Sequence, residues 1–252
     1  MFDLLVRYMK HTRPVNFGDV ASAARLAHKY SVTSVLNEAL KRMQDYFPPT
    51  LDLWEANAHL RAPTSSSAAT TTTITTTKPP TFTFCTRNAI EAVHLLRALD
   101  PLPAAQSMLP LALYLCAQLA PADVLHGVRR ADGTLERLGT ENNDAERCWT
   151  LQRALVRESL AAHSHVFVSA GPEAKKDLCW GCRGATVQEA EVKYRDRALH
   201  GDPLGPALRD VIGEVEKEGK VCKYCVNALK AREEAFRRKL WDRLPELTGV
   251  KC

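Results

Sequence analysis

Residues 4–47 read LLVRYMKHTRPVNFGDVASAARLAHKYSVTSVLNEALKRMQDYF, and this stretch decides the fold. It encodes two amphipathic helices with almost no gap between them. Asp19 is placed to cap the first, because a carboxylate oxygen accepts a hydrogen bond from the unpaired N–H groups of an opening helical turn. Val20, Ala23, Ala24, Ala27 and Tyr30 then recur at helical spacing on one stripe. The second helix starts near Val32 or Thr33. Val35, Leu36, Ala39, Leu40, Met43 and Phe47 form its apolar stripe, and Glu38, Lys41, Arg42 and Asp45 take the wet face. Pro48 and Pro49 end it, since proline has no N–H to donate to the helix ladder. The link around Tyr30 and Ser31 is so short that the two helices must lie side by side as a hairpin.

The wording LVRYMKHTRPVNFGDVASAARLAHKYSVTSVLNEALKRM resembles the C-terminal half of a BTB/POZ domain. The matching features are an aromatic-containing helix end, an extended piece from Pro14 to Phe17, a helix closing on Ala27-His28-Lys29-Tyr30, and a hydrophobic step into a last helix. The likeness is strongest to the BTB proteins of mushroom-forming fungi. It extends to IEAVHLLRALD, MLPLALYLCAQL, GVRRADGTLERL and RCWTLQRALVRESL further along the chain. A complete domain of that family carries strands and helices, including its dimerisation segment, ahead of the matching residues, so dimerisation is not carried over. The resemblance implies a protein-interaction module. In that family some members are substrate adaptors for cullin-based ubiquitin ligases and others act in transcription. On this chain the partner side would fall on the exposed faces of Val20 to Tyr30 and Val32 to Phe47, with a cullin scaffold or a BTB partner as the expected protein.

The chain has 252 residues, a normal apolar fraction of 45% and a net charge of +5. That length suits one large or two small domains. The positive charge is spread out, and from Gly171 to Cys252 basic and acidic residues alternate. This pattern describes a solvated surface better than a clustered phosphate-binding patch. No apolar run approaches the ~20 residues that span a bilayer, and no basic region leads a clean apolar core at the N-terminus. A cytoplasmic or nuclear compartment is therefore expected, where eight cysteines are thiols or metal ligands rather than disulfides.

Four segments follow from composition. Residues 1–60 carry the BTB-like hairpin, with a further helical piece around Trp54. Residues 61–85 are a Thr/Ser-rich linker, reading APTSSSAATTTTITTTKPPTFT from Ala62 to Thr83, with too little apolar surface to offset its own ordering entropy. Residues 86–170 form a helical domain. In it Ile90, Val93, Leu96 and Leu99 mark one helix, and Leu109 to Leu119 is apolar all round, with Pro110 in its first turn. Asp132-Gly133 signals a hairpin or, since its arms are short and charged, a tight loop. Asn143 or Asp144 caps a long helix carrying Trp149, Gln152, Leu155, Val156, Ser159, Leu160 and His163. His163 and His165 read as polar-face or helix-end residues.

Residues 171–252 are a helical tail. Leu208, Val211, Ile212 and Val215 face inward on one helix, and Leu229, Phe236, Leu240, Trp241 and Leu244 on the last. This tail carries two CxxC pairs, Cys179-Trp-Gly-Cys182 and Cys222-Lys-Tyr-Cys225. A CxxC turn sets two thiolates on one edge of a tetrahedron, and two such turns complete a four-cysteine zinc site. Gly181 and Gly184 keep the first turn compact. The second turn leads into a helix whose N–H groups favour thiolate sulfur. The gap between the pairs exceeds the ~15–20 residues of a simple ribbon, so the zinc would clip a helical tail closed. Unlinked thiols and CxxC redox chemistry are the competing readings; neither pair follows a strand in a βαβ pattern. Cys85, Cys148 and Cys252 have no partner at metal spacing and read as ordinary or exposed thiols, whereas Cys116 reads as a small buried hydrophobe.

The expected fold is mostly α: a partial BTB helix hairpin, then a helical C-terminal domain with a zinc-clipped tail. The expected function is protein–protein interaction without catalysis, as an adaptor or scaffold. A zinc-containing nucleic-acid or chromatin module is the alternative, with Lys220, Lys223, Lys230, Arg232, Arg237, Arg238 and Lys239 as phosphate contacts; Glu233, Glu234 and Asp242 count against it. A CxxC redox protein is the third reading. No Gly-rich phosphate loop, GxSxG elbow or HExxH helix is present.

Overall fold

The computed structural model describes residues 15–58, 82–84, 87–130, 132–139, 142–168, 178–182 and 185–250. Most of the Thr-rich linker, together with Cys85, Gly184 and Cys252, lies outside them. The fold is mostly helical. The elements are β1 (Val15–Asn16), α1 (Phe17–Lys29), α2 (Thr33–Tyr46), α3 (Leu51–Ala56), β2 (Phe82–Thr83), α4 (Asn88–Ala98), α5 (Pro103–Ala117), α6 (Pro121–His126), β3 (Val128–Arg129) and β4 (Leu135–Glu136). They continue with α7 (Asp144–His163), α8 (Ala185–Ala198), α9 (Ala207–Lys217), α10 (Lys223–Asp242) and α11 (Leu244–Thr248). Contacts divide the chain into two compact units, Met1–Cys148 with Val250–Cys252, and Trp149–Gly249. The division falls inside α7, and the first unit runs across the segment boundaries suggested at residues 60 and 85.

In the first unit α1 and α2 form the expected hairpin. Helix α1 begins two residues before Asp19, and its cap is Asn16, whose Oδ1 accepts from the Asp19 N–H at 2.9 Å. The Asn16 amide oxygen reaches that N–H because Asn16 is extended and lies just outside the helix. Asp19 lies inside the first turn, where its charge meets the positive end of the helix dipole. Val20, Ala23, Ala24 and Ala27 are buried, but Tyr30 is 53% exposed. The chain leaves the helix after Lys29, so Tyr30 no longer follows the stripe, and the Lys29 ammonium sits 5.6 Å from its ring centre. Ser31, at φ 56°, makes the reversal. All six residues of the expected α2 stripe are buried. Arg42, expected on the wet face, is buried too; its Nε donates to Glu38 Oε1 at 3.1 Å one turn back.

Helices α4 and α5 complete this core, α1 packing on α4 and α2 on α5. Trp54 of α3 meets Tyr114 of α5 edge-on at 6.3 Å. Helix α5 starts at Pro103, which takes the first-turn position expected for Pro110. Pro110 is therefore a buried interior proline, with no N–H for the carbonyl one turn back. The good helix formers around it carry the helix through. The end of the linker segment is structured. β2 pairs in parallel with β1 (Val15 with Phe82, Asn16 with Thr83). The Phe84 ring then stacks on Tyr46 at 3.9 Å and meets Phe17 and Phe47 edge-on at 5.0 and 5.4 Å. The Asp132-Gly133 hairpin forms as expected, β3 pairing antiparallel with β4. Cys148 is buried rather than an exposed thiol. It hydrogen-bonds Cys116, whose thiol is held well above its usual pKa, first by burial and then by that bond.

Buried charge ties these helices together. Glu91 of α4, 2% exposed, receives Arg25 Nη1 at 2.9 Å and Arg130 Nη2 at 2.7 Å. Asp144, at the start of α7, is gripped by both Nε and Nη2 of Arg97. The Arg147 N–H donates to the Asn143 carbonyl, which makes Asn143 the helix-flanking residue.

In the second unit α7, α8, α9 and α10 enclose an apolar cluster that includes Ala162, Val166, Tyr194, Ile212, Val226 and Leu229. Leu208, Val211, Ile212 and Val215 all face inward as read. The α7 stripe is shifted: Leu151, Leu155, Ser159 and Ala162 are buried, while Trp149 and Leu160 are exposed at 43% and 38%. On α10, Leu229 and Leu240 are buried as expected, and so are the charged residues Glu233 and Arg237. Glu233 receives Arg209 Nε at 3.1 Å and Arg237 at 3.4 Å, and Arg237 also donates to the Gly205 carbonyl. Among the described residues no helix is long and apolar enough to cross a membrane.

Replacing Phe84 by Ala should lower the stability of the first unit by about 2 kcal/mol, because three aromatic partners lose a shared neighbour. Urea unfolding followed by tyrosine and tryptophan fluorescence checks this; an unchanged midpoint would mean that the end of the linker does not dock. Glu91→Gln should cost on the order of 2 kcal/mol by leaving Arg25 and Arg130 without their shared carboxylate, read by the same unfolding curve.

Candidate metal centre

Each CxxC pair folds into a tight reversal. The first is a single 3-10 turn, Trp180–Cys182, closed by the Cys182 N–H donating to the Cys179 carbonyl at 3.1 Å. Gly181 is not needed for this shape: its φ is not positive, and a Cβ there would meet nothing within 4 Å. The second pair opens α10. Cys222 is the extended residue before the helix (φ −66°, ψ 151°), and its carbonyl accepts from the Val226 N–H at 3.0 Å. Cys225 therefore sits in the first helical turn, as the sequence suggests.

The two turns grip each other reciprocally. The Cys179 N–H donates to Cys225 Sγ at 3.2 Å, and the Cys222 N–H donates to Cys182 Sγ at 3.3 Å. The first cysteine of each turn thus supports the second sulfur of the other. All four Sγ atoms lie within 4.8 Å of one another. Cys179 Sγ is 3.8 Å from Cys222 Sγ and 3.6 Å from Cys225 Sγ. A zinc–sulfur bond of about 2.3 Å in a regular tetrahedron gives a sulfur–sulfur edge of about 3.8 Å. A disulfide needs about 2.05 Å, and all four thiols are free. The spacing is that of four ligands around one ion.

The cluster is half in and half out of the core. Cys182 and Cys225 are 6% and 0% exposed and belong to the apolar cluster of the second unit, whereas Cys179 and Cys222 are exposed. Their acidities separate accordingly. Hydrogen bonds, first from the Cys182 thiol and then from its backbone N–H, bring Cys179 down to about 7. Burial, ahead of the other contributions, pushes Cys225 up to about 12. The Cys222 N–H pulls Cys182 down, but the neighbouring thiols and burial leave it raised. Without a cation the site accommodates a thiolate at Cys179 most readily, and a bound cation would supply the charge that favours deprotonation of the rest.

The other expected site residues are placed as follows. The apolar sides of Val20 to Tyr30 and Val32 to Phe47 are packed inside the first unit. The turn between the two helices opens onto a groove of about 440 Å³ lined by His28, Ser31, Thr33, Asn37, Leu102 and Pro103 among others. No motif signals this groove, since its walls come from segments far apart in sequence. His163 is the last residue of α7, as the helix-end reading has it, but it is buried and not on a polar face. It is 7% exposed, stacked on Tyr194 with ring centres 6.1 Å apart, and its Nε2 lies 3.6 Å from Glu191 Oε1, beyond hydrogen-bond reach. His165 is exposed and tilted against Phe236, its pKa lowered by partial burial and then by Arg232 and Lys239. Of the residues named as phosphate contacts, Lys220 faces Glu218, Lys230 faces Glu216, Arg237 faces Glu233 and Arg238 faces Glu234, while Arg232 donates to the Val166 carbonyl.

The fold and site define a mostly helical protein with four cysteines at metal-binding distance. No protein-family model, curated protein or solved structure matches the chain.

Metal affinity should rise with pH. At neutral pH the raised thiols of Cys182 and Cys225 hold their protons in the metal-free protein, so the ion must displace them; as pH rises that cost falls. A chelator-competition titration between pH 6 and 8 should show zinc affinity increasing about tenfold or more per unit. An affinity flat with pH would mean that these thiols are not ligands.

Proposed function

We propose that the chain is a non-catalytic protein-interaction module, an adaptor or scaffold, whose second unit is closed by one structural zinc ion. The observation that supports the structural zinc ion is the four-sulfur geometry. Four protein thiolates satisfy a tetrahedral ion completely, and catalytic zinc sites keep one position open for water or substrate. Cys179 and Cys182 approach from one side of the sequence and Cys222 and Cys225 from the other, so the ion would join segments separated by α8 and α9. The interaction role rests on the BTB/POZ resemblance of residues 5–43. Its partner class is a cullin scaffold or a BTB partner, and the compartment it implies is cytoplasmic or nuclear.

Elemental analysis of protein purified under reducing, chelator-free conditions tests the centre, with Cys222→Ser/Cys225→Ser as the comparison. One zinc per chain is expected. In the double variant the zinc should be lost and the second unit destabilised by several kcal/mol, seen as a lower midpoint and reduced helicity in circular dichroism. Iron in place of zinc, the other metal that tetrahedral sulfur accepts, would change the cofactor and keep the site. No metal, with a reversibly oxidised pair within either CxxC turn, would replace this reading with thiol redox chemistry. Retention of a cullin scaffold by the purified chain tests the partner class separately.

A further inference from the structure

We infer that the Cys179–Cys222 edge of the metal centre is a site of reversible oxidation by hydroperoxides, and that forming a disulfide there releases the zinc. This rests on the zinc reading above and adds its regulation.

The four sulfurs are not equivalent. Cys182 and Cys225 are 6% and 0% exposed, sit in the apolar cluster of the second unit, and each accept a backbone N–H. Cys179 and Cys222 are both exposed, and their sulfurs are 3.8 Å apart. Thiolate attack on a peroxide requires access, and only this edge offers it. It also joins the two different CxxC turns, so the bond formed would cross between them instead of closing a ring inside either. An exposed side chain is free to rotate into line for the second step, and the two buried sulfurs are held by packing and by their N–H donors.

One thiolate attacks the peroxide O–O bond, which breaks; sulfur becomes a sulfenic acid and the alcohol or water leaves. The second thiolate attacks that sulfur, the S–S bond forms and the S–O bond breaks, and the hydroxide leaves as water after taking a proton. Two thiolates together lose two electrons and the peroxide gains them. The ion is left with two sulfur ligands and no net thiolate excess, which is too little to hold it against a competing chelator.

The test uses the full-length wild-type chain. Its zinc content is measured first and decides the underlying reading by itself. The protein is then treated with hydrogen peroxide. Zinc release is followed with a chromogenic chelator, and disulfides are mapped by alkylation, non-reducing digestion and mass spectrometry. One zinc should be released per chain, in step with a Cys179–Cys222 linkage, and thiol reductant with added zinc should restore both. A zinc-loaded protein that instead yields Cys179–Cys182 or Cys222–Cys225, or links to Cys85 or Cys252, overturns the inference and leaves the zinc reading standing. So does release of zinc without any disulfide. A chain with no zinc before oxidant overturns both.

Discussion

Two reversals of the chain, brought together from opposite sides of a helix pair, must deliver four sulfur atoms to a single point. Everything in the second unit is compatible with that demand. Two sulfurs are continuous with the apolar cluster and two lie at its edge, so the centre is an extension of the core and not an ornament on the surface. The reciprocal N–H···S bonds fix how the turns face each other. Packing of α9 on α8 and α10 sets the distance between the turns from behind. A substitution in Val211 or Val215 would therefore reach the sulfurs through the helices that carry them, without touching a ligand.

Both units place carboxylates where water cannot neutralise them. Glu91 and Asp144 in the first, and Glu233 in the second, are nearly fully buried, and each is met by one or two guanidinium groups. Arginine suits this role because its planar fork satisfies a carboxylate from a partly exposed position. Such pairs add little net stability compared with apolar side chains of the same size, but they penalise any packing that separates them. The helices of the first unit are smooth and rich in Ala and Leu, and such faces pack in many registers; the Arg25–Glu91–Arg130 cluster selects one.

What could be read from the sequence was local. The α2 and α9 stripes, the hairpin turn, the Asp132-Gly133 reversal and the shape of each CxxC turn follow from spacing within a few residues, whereas the meeting of the two turns spans 40 positions or more. What could not be read depended on distant partners. Arg25 and Glu91 are 66 positions apart, and nothing near either marks it as buried. Glu233 and Arg237 look like a solvated charge run until Arg209 and the Gly205 carbonyl are placed beside them. Phe84 closes a polar, Thr-rich stretch, and only the Tyr46, Phe47 and Phe17 rings give it a site. The start of α5 differs for another reason: two prolines compete for the first-turn role, and Pro103 takes it because the helix begins six residues before Leu109. The cap of α1 is the neutral amide of Asn16 and not the Asp19 carboxylate three positions later, because a cap lies outside the helix and Asp19 is already within its first turn.

The ligand spacing also acts on the unfolded chain. Cys179 and Cys225 are 46 positions apart, so an ion that holds both closes a long loop. In the chain-entropy picture a cross-link of that span removes about 4 kcal/mol of disorder from the denatured ensemble. Thiolates grip metal with or without native structure, so an ion captured early would leave α8 and α9 to fold inside a tethered ring. Captured late, it would do no more than lock helices already in place. If the four cysteines hold an ion, metal supply during synthesis would bear on the route by which this unit folds, and not only on how firmly it stays folded.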